Sequence, residues 1–265
     1  MALTKIDCHL FRGADAQLET SSYVVVNPHW QPGRVVFVGA CAVRQGVGSQ
    51  VAYKLSIQHF LEGVLSYFAS LNGGGEPRSE EKSLKVLEEA FRSANTAVHE
   101  FGLKLAAGGR MASSLLGLVI ENKVIAAARA GEGAAYLFRD GSLFPFFGDK
   151  DELNKVTKDP ALGSFVGAQL QIAVELVSVP IEPGDKIFVF SRPLHVRSQG
   201  LLCNAASELR TEATELQDFN EVQLACEELF ERVCADSEDL EFAMAANVGP
   251  EALYLWKRVP TGLIE

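Results

Sequence analysis

The stretch VFVGACAVRQGVGSQVA, Val36–Ala52, combines an apolar strand-like run, a bend of small residues and glycines, and the start of a helix. A strand, a glycine-containing bend and a helix start often frame an anion or metal site in proteins. This stretch, however, contains no Asp, Glu or His. It therefore predicts the framework of a functional loop without the side chains that usually perform its chemistry.

Two predicted strands and two predicted helices include or flank this stretch. The β-branched runs at 22–28 and 33–40 are separated by prolines and a glycine, and they predict a hairpin of buried strands. Apolar residues then recur every three or four positions through 53–71 and again through 84–105. This spacing predicts two long amphipathic helices, joined by the polar, glycine-containing segment 72–82.

The second half of the chain consists mainly of predicted strands. An antiparallel meander of three or four strands over 115–148 is followed by strands at 170–180 and 184–191, an amphipathic helix at 221–234 and a closing hairpin at 241–259. Strands, two helices, many strands, a helix and strands in this order indicate the α+β class. We therefore expect one domain, 1–265, folded as a four-layer αββα sandwich of two antiparallel β-sheets flanked by helices.

The bulk properties exclude several functional classes. A net charge of −10 argues against nucleic acid as a partner, because phosphate binding depends on clustered lysine and arginine. There is no apolar run of about 18 residues and no signal-peptide pattern, so we expect no membrane association and a cytoplasmic location. The five cysteines lack the spacing of a metal site, which favours reduced, buried thiols.

Four further segments carry a resemblance to a known family. They are GGRMASSLLGLVI (108–120), AARAGEGAAYLFRDGSL (127–143), PALGSF (160–165) and IEPGDKIFVFSRPLHV (181–196). With the opening stretch, they resemble in order the characteristic segments of the metal-dependent protein phosphatases of type 2C, and the likeness runs from Tyr23 to Val259. The matching residues are Gly46, Gly48, Gly131, Tyr136, Leu137, Arg139, Asp140, Gly141, Gly184, Asp185, Ser191 and Leu194.

The resemblance implies a binuclear metal centre at the opening stretch. In the family, two divalent cations such as Mg²⁺ or Mn²⁺ are bridged by carboxylates and activate a water that attacks the phosphate. The family's bridging Asp-Gly pair corresponds either to Gly39-Ala40 or to Ala40-Cys41. Neither choice supplies a metal ligand.

The remaining ligand positions of the family are altered as well. The resemblance places Glu132 at one family aspartate and Arg192 at another, and it offers Asp239 or Glu241 for the last acidic ligand. A guanidinium is not a metal ligand and carries a fixed positive charge, so we expect no catalytic residues, no metal and no other cofactor. We expect Glu132 and Arg192 to form an ion pair instead, and breaking a partly buried pair of this kind costs about 3–5 kcal/mol.

These departures predict a pseudophosphatase, a regulatory or scaffolding module that binds a protein partner in signalling. Arg192, together with Arg44 in the opening loop, favours a phosphorylated or acidic segment of that partner. The alternative is a divergent metal-dependent serine/threonine phosphoprotein phosphatase that binds Mg²⁺ or Mn²⁺ weakly. Its metal would use Glu132 with Asp239 or Glu241.

Other enzymatic interpretations have less support in the sequence. Cys41 has no neighbouring base to activate it, and Ser113 and Ser114 lack the G-x-S-x-G motif, so all three are interpreted as structural. The glycines of the opening stretch do not form a nucleotide-binding motif. An N-terminal-nucleophile hydrolase, another αββα fold, would need a processed Thr, Ser or Cys, of which residues 1–7 give no sign.

Overall fold

Two β-sheets face each other across an apolar layer. The structure, a computed structural model, describes residues 2–3, 8–11, 21–26, 34–43, 47–70, 80–105, 111–121, 123–148, 162–208, 233, 243–248 and 252–257. Its strands are β1 (Ala2–Leu3), β2 (Cys8–Phe11), β3 (Ser21–Val26), β4 (Val35–Ala42), β5 (Ser113–Glu121), β6 (Val124–Ala130), β7 (Ala134–Arg139), β8 (Ser142–Pro145), β9 (Leu162–Gly163), β10 (Gln171–Ile172), β11 (Glu175–Pro180), β12 (Lys186–Phe190), β13 (Ala243–Val248) and β14 (Ala252–Lys257). The helices in the described ranges are α1 (Val47–Ser70), α2 (Glu80–Lys104) and α3 (Val196–Glu208).

The strands pair largely as the sequence predicts. The first sheet has the order β11-β6-β5-β4-β3-β2 and is antiparallel throughout. The second sheet has the order β1-β14-β13-β12-β7-β8 and is antiparallel except for the two-residue parallel pairing of β1 with β14. The predicted hairpins β3–β4 and β13–β14 are confirmed.

Three apolar layers hold the secondary structure together. The layer between the sheets includes Tyr23, Phe37, Leu116, Leu118, Ile187 and Val189. The layer between the first sheet and the helices α1 and α2 includes Tyr53, Phe60, Phe68, Leu87 and Phe91. The layer between the second sheet and α3 includes Tyr136, Phe188, Phe190 and Leu202. The predicted α+β class and its αββα layering are therefore confirmed.

The two long helices pack closely against each other. A Cβ atom at Gly63 of α1 would lie 3.3 Å from the Cβ of Ala90 in α2, so the glycine permits this approach. The rings of Phe60 and Phe91 meet edge to face at 5.6 Å, a favoured aromatic geometry. None of the helices in the described residues is both long and apolar enough to cross a membrane.

The strands over 115–148 do not form one meander, so this prediction was wrong. The strands β5 and β6 belong to the first sheet, whereas β7 and β8 belong to the second. The segment Gly131–Gly133 therefore carries the chain across the sandwich, and we call it the crossing. In sequence, a glycine-containing turn looks the same whether it closes a hairpin or changes sheets.

The helical layer on the second sheet differs from the expected one. The predicted helix at 221–234 lies outside the described residues except for Val233, which is helical and buried. The sequence does not predict α3, whose buried residues Ser198, Leu202 and Ala206 lie four positions apart. Only one of these three is large and apolar, and Gly200 lies between them, so the periodic signal is weak.

Lys186 connects α3 to the strand β12. Its side chain is buried, and its Nζ donates a hydrogen bond of 2.7 Å to the carbonyl oxygen of Ala206, near the end of α3. The ammonium group also lies 5.1 Å from the centre of the Phe138 ring. Burial lowers the pKa of Lys186 below its ordinary value, because desolvation disfavours the charged form.

We expect Lys186 to make stability increase with pH on the alkaline side. Between its lowered native pKa and the ordinary lysine value of about 10.4, the unfolded chain binds more protons than the native protein, so the free energy of unfolding rises with pH. Lys186→Met removes this contribution. Urea unfolding at several values between about pH 7 and 10 should show the wild-type protein gaining stability relative to the variant. A constant difference would contradict this prediction.

Candidate functional site

The described counterparts of the family's metal ligands lie towards one end of the sandwich. In the first sheet, Cys41 near the end of β4 lies opposite Ser114 at the start of β5. The crossing follows β6 at this same end, because Ala130 pairs with Leu115. In the second sheet, Ala134 at the start of β7 pairs with Phe190 at the end of β12, which brings Glu132 and Arg192 to the same end.

The two predicted positions on β4 face different layers. Phe37 and Cys41 contribute to the apolar layer between the sheets, whereas Val38 and Ala40 contribute to the layer beneath the helices. Because side chains alternate along a strand, Gly39 belongs to the face between the sheets. The side chain at position 40 instead belongs to the face towards α1 and α2, away from Glu132.

The crossing is fixed from both sides. The backbone N–H of Glu132 donates a hydrogen bond of 3.3 Å to Ser114 Oγ, and the carbonyl oxygen of Gly133 accepts one of 3.1 Å from Arg129 Nη1. Gly131 has a φ of 95°, and a Cβ atom there would lie 2.7 Å from Ser114 Oγ. This left-handed, crowded position requires glycine, and the hydroxyl of Ser114 has the structural role that the sequence suggests.

Ser113 has a structural role on the other face of the sheet. Its Oγ lies 2.7 Å from Ser56 Oγ, and Ser56 Oγ in turn donates a hydrogen bond to the carbonyl oxygen of Ala52 in α1. The backbone of Ser113 also pairs with Val166. Ser113 therefore joins β5 to α1 and to the 162–172 segment.

Arg129 is the site residue that sequence reasoning missed. Its guanidinium is buried and makes two hydrogen bonds with the Glu175 carboxylate, 2.7 Å from Nε to Oε1 and 2.8 Å from Nη2 to Oε2. It also donates to the carbonyl oxygen of Gly148 at 3.0 Å and stacks 4.7 Å over the Phe147 ring. The available signal was a single charge in the otherwise apolar strand VIAAARA.

Glu132 and Arg192 form the expected ion pair. Arg192 Nε lies 3.6 Å from Glu132 Oε2, and the side chains are 37% and 32% exposed, respectively. Exposed pairs of this kind typically contribute about 0.2–1 kcal/mol, because water screens the charges. The larger coupling expected for a partly buried pair is therefore corrected to this smaller range.

The described part of the site does not fit two divalent cations. Among the described residues, no three His, Cys, Asp or Glu side chains come together as a group that could hold a metal ion. Within the part of the chain that the structure describes, Arg192 places a guanidinium beside Glu132, and this group offers no lone pair and repels a cation. The predicted positions Arg44, Asp239 and Glu241 lie outside the described residues.

Two residues that match the family pattern contact each other at the opposite end of β12. Arg139 donates to Asp185 with Nε–Oδ1 and Nη2–Oδ2 distances of 2.8 and 2.6 Å, and Asp185 Oδ2 accepts the N–H of Glu182 at 2.7 Å. The hydrogen bonds with Asp185 raise the pKa of Arg139 above its ordinary value. These matching residues therefore maintain a turn, and their presence reflects the fold rather than the chemistry.

Comparisons with known proteins agree with this fold. PppA, a key regulatory component of the type VI secretion system in Pseudomonas aeruginosa, superposes with a TM-score of 0.62 and 14% identity, over 97% of this chain and 98% of that chain. The Mycobacterium tuberculosis serine/threonine phosphatase PstP gives 0.58 and 14%, over 92% and 98%. The catalytic domain of a serine/threonine protein phosphatase PstP in complex with two manganese ions gives 0.57 and 14%, over 96% and 98%.

Two comparisons by sequence found no match to this chain. No protein-family profile matches the chain. No curated protein matches it significantly either. At 14% identity the structural likeness establishes the fold, which is that of the type 2C serine/threonine phosphatases.

Proposed function

We propose that the chain is a pseudophosphatase, a type 2C phosphatase-like domain spanning 1–265 that lacks the binuclear metal centre. It acts in the cytoplasm as a regulatory or scaffolding module by binding a protein partner in signalling. The observation that carries this proposal is the ion pair of Glu132 with Arg192. Where the resemblance calls for two carboxylates, this chain brings together one carboxylate and one permanent positive charge.

The register of β4 supports the same proposal. Gly39 is the position on the face between the sheets, and it has no side chain to bridge two cations. Two adjacent dications need several anionic oxygens to offset their dehydration and mutual repulsion. Among the described counterparts of the family ligands, Gly39, Ala40, Glu132 and Arg192, only Glu132 carries a carboxylate.

We expect Mn²⁺ to leave the melting temperature of the protein unchanged. A native-state site with a dissociation constant of about 10 µM would add about 2.7 kcal/mol at about 1 mM Mn²⁺. For a chain of this size, that stabilisation corresponds to a melting shift of roughly 5–10 °C. Arg192→Asp, which places a carboxylate beside Glu132, is the matched variant and should respond to Mn²⁺ more than the wild-type protein.

The opposite result would support the alternative function. A wild-type melting shift of that size, together with Mn²⁺-dependent hydrolysis of a phosphopeptide, would indicate a divergent phosphatase with a remodelled metal site. Such a site would combine Glu132 with Asp239 or Glu241. Substituting each of these carboxylates by its amide would then identify the ligands.

A further inference from the structure

We infer that Glu132 is an internal competitor for an anionic peptide segment that binds Arg192. The inference rests on the proposed function, which assigns a protein partner to this site, and it adds the chemistry of the contact. A phosphate or carboxylate group of the peptide replaces the Glu132 carboxylate on the Arg192 guanidinium. In the absence of the peptide, the protein therefore covers its own binding residue.

The geometry of the ion pair favours this exchange. Its N–O distance of 3.6 Å exceeds the usual 2.7–2.9 Å of a charge-assisted hydrogen bond. Both side chains are about one third exposed, so an incoming anion reaches the guanidinium from solvent. The pair of Arg129 with Glu175 provides the contrast, because it is 2.7 Å long and the two side chains are only 3% and 14% exposed.

Hydrogen bonds on both sides of Glu132 hold its backbone beside Arg192. The hydrogen bonds of the crossing to Ser114 and Arg129 hold the chain on both sides of the Glu132 side chain. A tethered carboxylate competes at a high effective concentration, whatever the concentration of peptide. Every anionic peptide therefore has to displace the same contact.

The segment that follows Arg192 in the chain carries basic and no acidic side chains as far as the first turn of α3. His195 and Arg197 lie in this segment and are both exposed. The first turn of α3 contains no acidic residue that would oppose a negative ligand. The planar guanidinium can donate two parallel hydrogen bonds to either a phosphate or a carboxylate.

Fluorescence anisotropy with the full chain tests this inference. The probe is a fluorescein-labelled peptide with one phosphothreonine, compared with its aspartate-substituted and unmodified threonine forms. Glu132→Gln should tighten the binding of both anionic peptides by about two- to fivefold, the factor expected for losing an exposed ion pair. Arg192→Gln should reduce both to the affinity of the unmodified peptide.

Glu182→Gln is the matched control for the change in net charge. Glu182 lies 3.5 Å from Arg139, before β12, whereas Arg192 follows that strand. This variant should leave the affinity unchanged, and equal tightening by both variants would overturn the inference. Unchanged binding by Glu132→Gln with weaker binding by Arg192→Gln would also overturn it while leaving the binding site in place. If neither variant changed the binding, the anion site itself would be contradicted.

Discussion

Replacing Arg129 by leucine will lower the free energy of unfolding by about 3–5 kcal/mol, the usual cost of leaving a buried ion without its partner. The Arg129 side chain is 3% exposed and makes two hydrogen bonds with Glu175. It also donates to the carbonyl oxygens of Gly133 and Gly148. Leucine can fill part of the space, but it donates to none of these three acceptors, of which the Gly133 carbonyl lies in a buried contact.

The exposed pair of Arg92 with Glu88 provides the control for this prediction. Arg92 is 68% exposed on α2, so Arg92→Leu should cost no more than about 0.5 kcal/mol. Urea unfolding of the wild-type protein and both variants measures the two losses on one scale. A loss below about 1 kcal/mol for Arg129→Leu would contradict the prediction.

A second substitution separates the ion pair from the carbonyl contacts. Adding Glu175→Leu to Arg129→Leu removes the carboxylate that the first change leaves unpaired, and it should recover part of the lost stability. A double variant no more stable than the single one would show that the lost contacts to Gly133 and Gly148, and not the unpaired carboxylate, account for the loss. The comparison of the single and double variants therefore measures how much the Arg129 contact to Gly133 stabilises the crossing that carries Glu132.

Much of the fold follows from local patterns in the sequence. The apolar spacing through 53–71 and 84–105 predicts α1 and α2, because each helix buries one continuous stripe of side chains against the first sheet. The hairpins follow from β-branched runs separated by turn residues. The sheet change at the crossing could not be predicted, because it depends on which strands β7 meets after leaving the turn.

The sequence predicts the candidate site only in part. The resemblance brings Glu132 and Arg192 to one place, and the structure finds their charged groups 3.6 Å apart. The resemblance aligns the family's aspartate with either Gly39 or Ala40, and only the alternation of β4 between the two apolar layers distinguishes them. The sequence does not single out Arg129, because its partner, Glu175, lies 46 residues away in the chain.

The second large effect is expected at the buried pair of Arg34 with Glu121. Arg34 donates from Nε and Nη2 to Glu121 Oε1 at 2.8 and 2.7 Å, and the side chains are 2% and 8% exposed. Its guanidinium also lies 4.7 Å over the Phe68 ring, so the pair joins the start of β4, the end of β5 and α1. Arg34 Nη1 has no hydrogen-bond partner among the described residues, which makes Glu121 important for offsetting its charge.

Glu121→Gln should therefore lower the free energy of unfolding by about 3–5 kcal/mol, because it leaves a buried guanidinium without a counter-charge while hardly changing the side-chain shape. Urea unfolding measures the loss, and Glu88→Gln on the surface of α2 is the matched control, with an expected cost of no more than about 0.5 kcal/mol. Equal losses in the two variants would contradict the prediction. Arg34→Met combined with Glu121→Leu should restore most of the stability, since an apolar pair of similar volume avoids the desolvation of both charges.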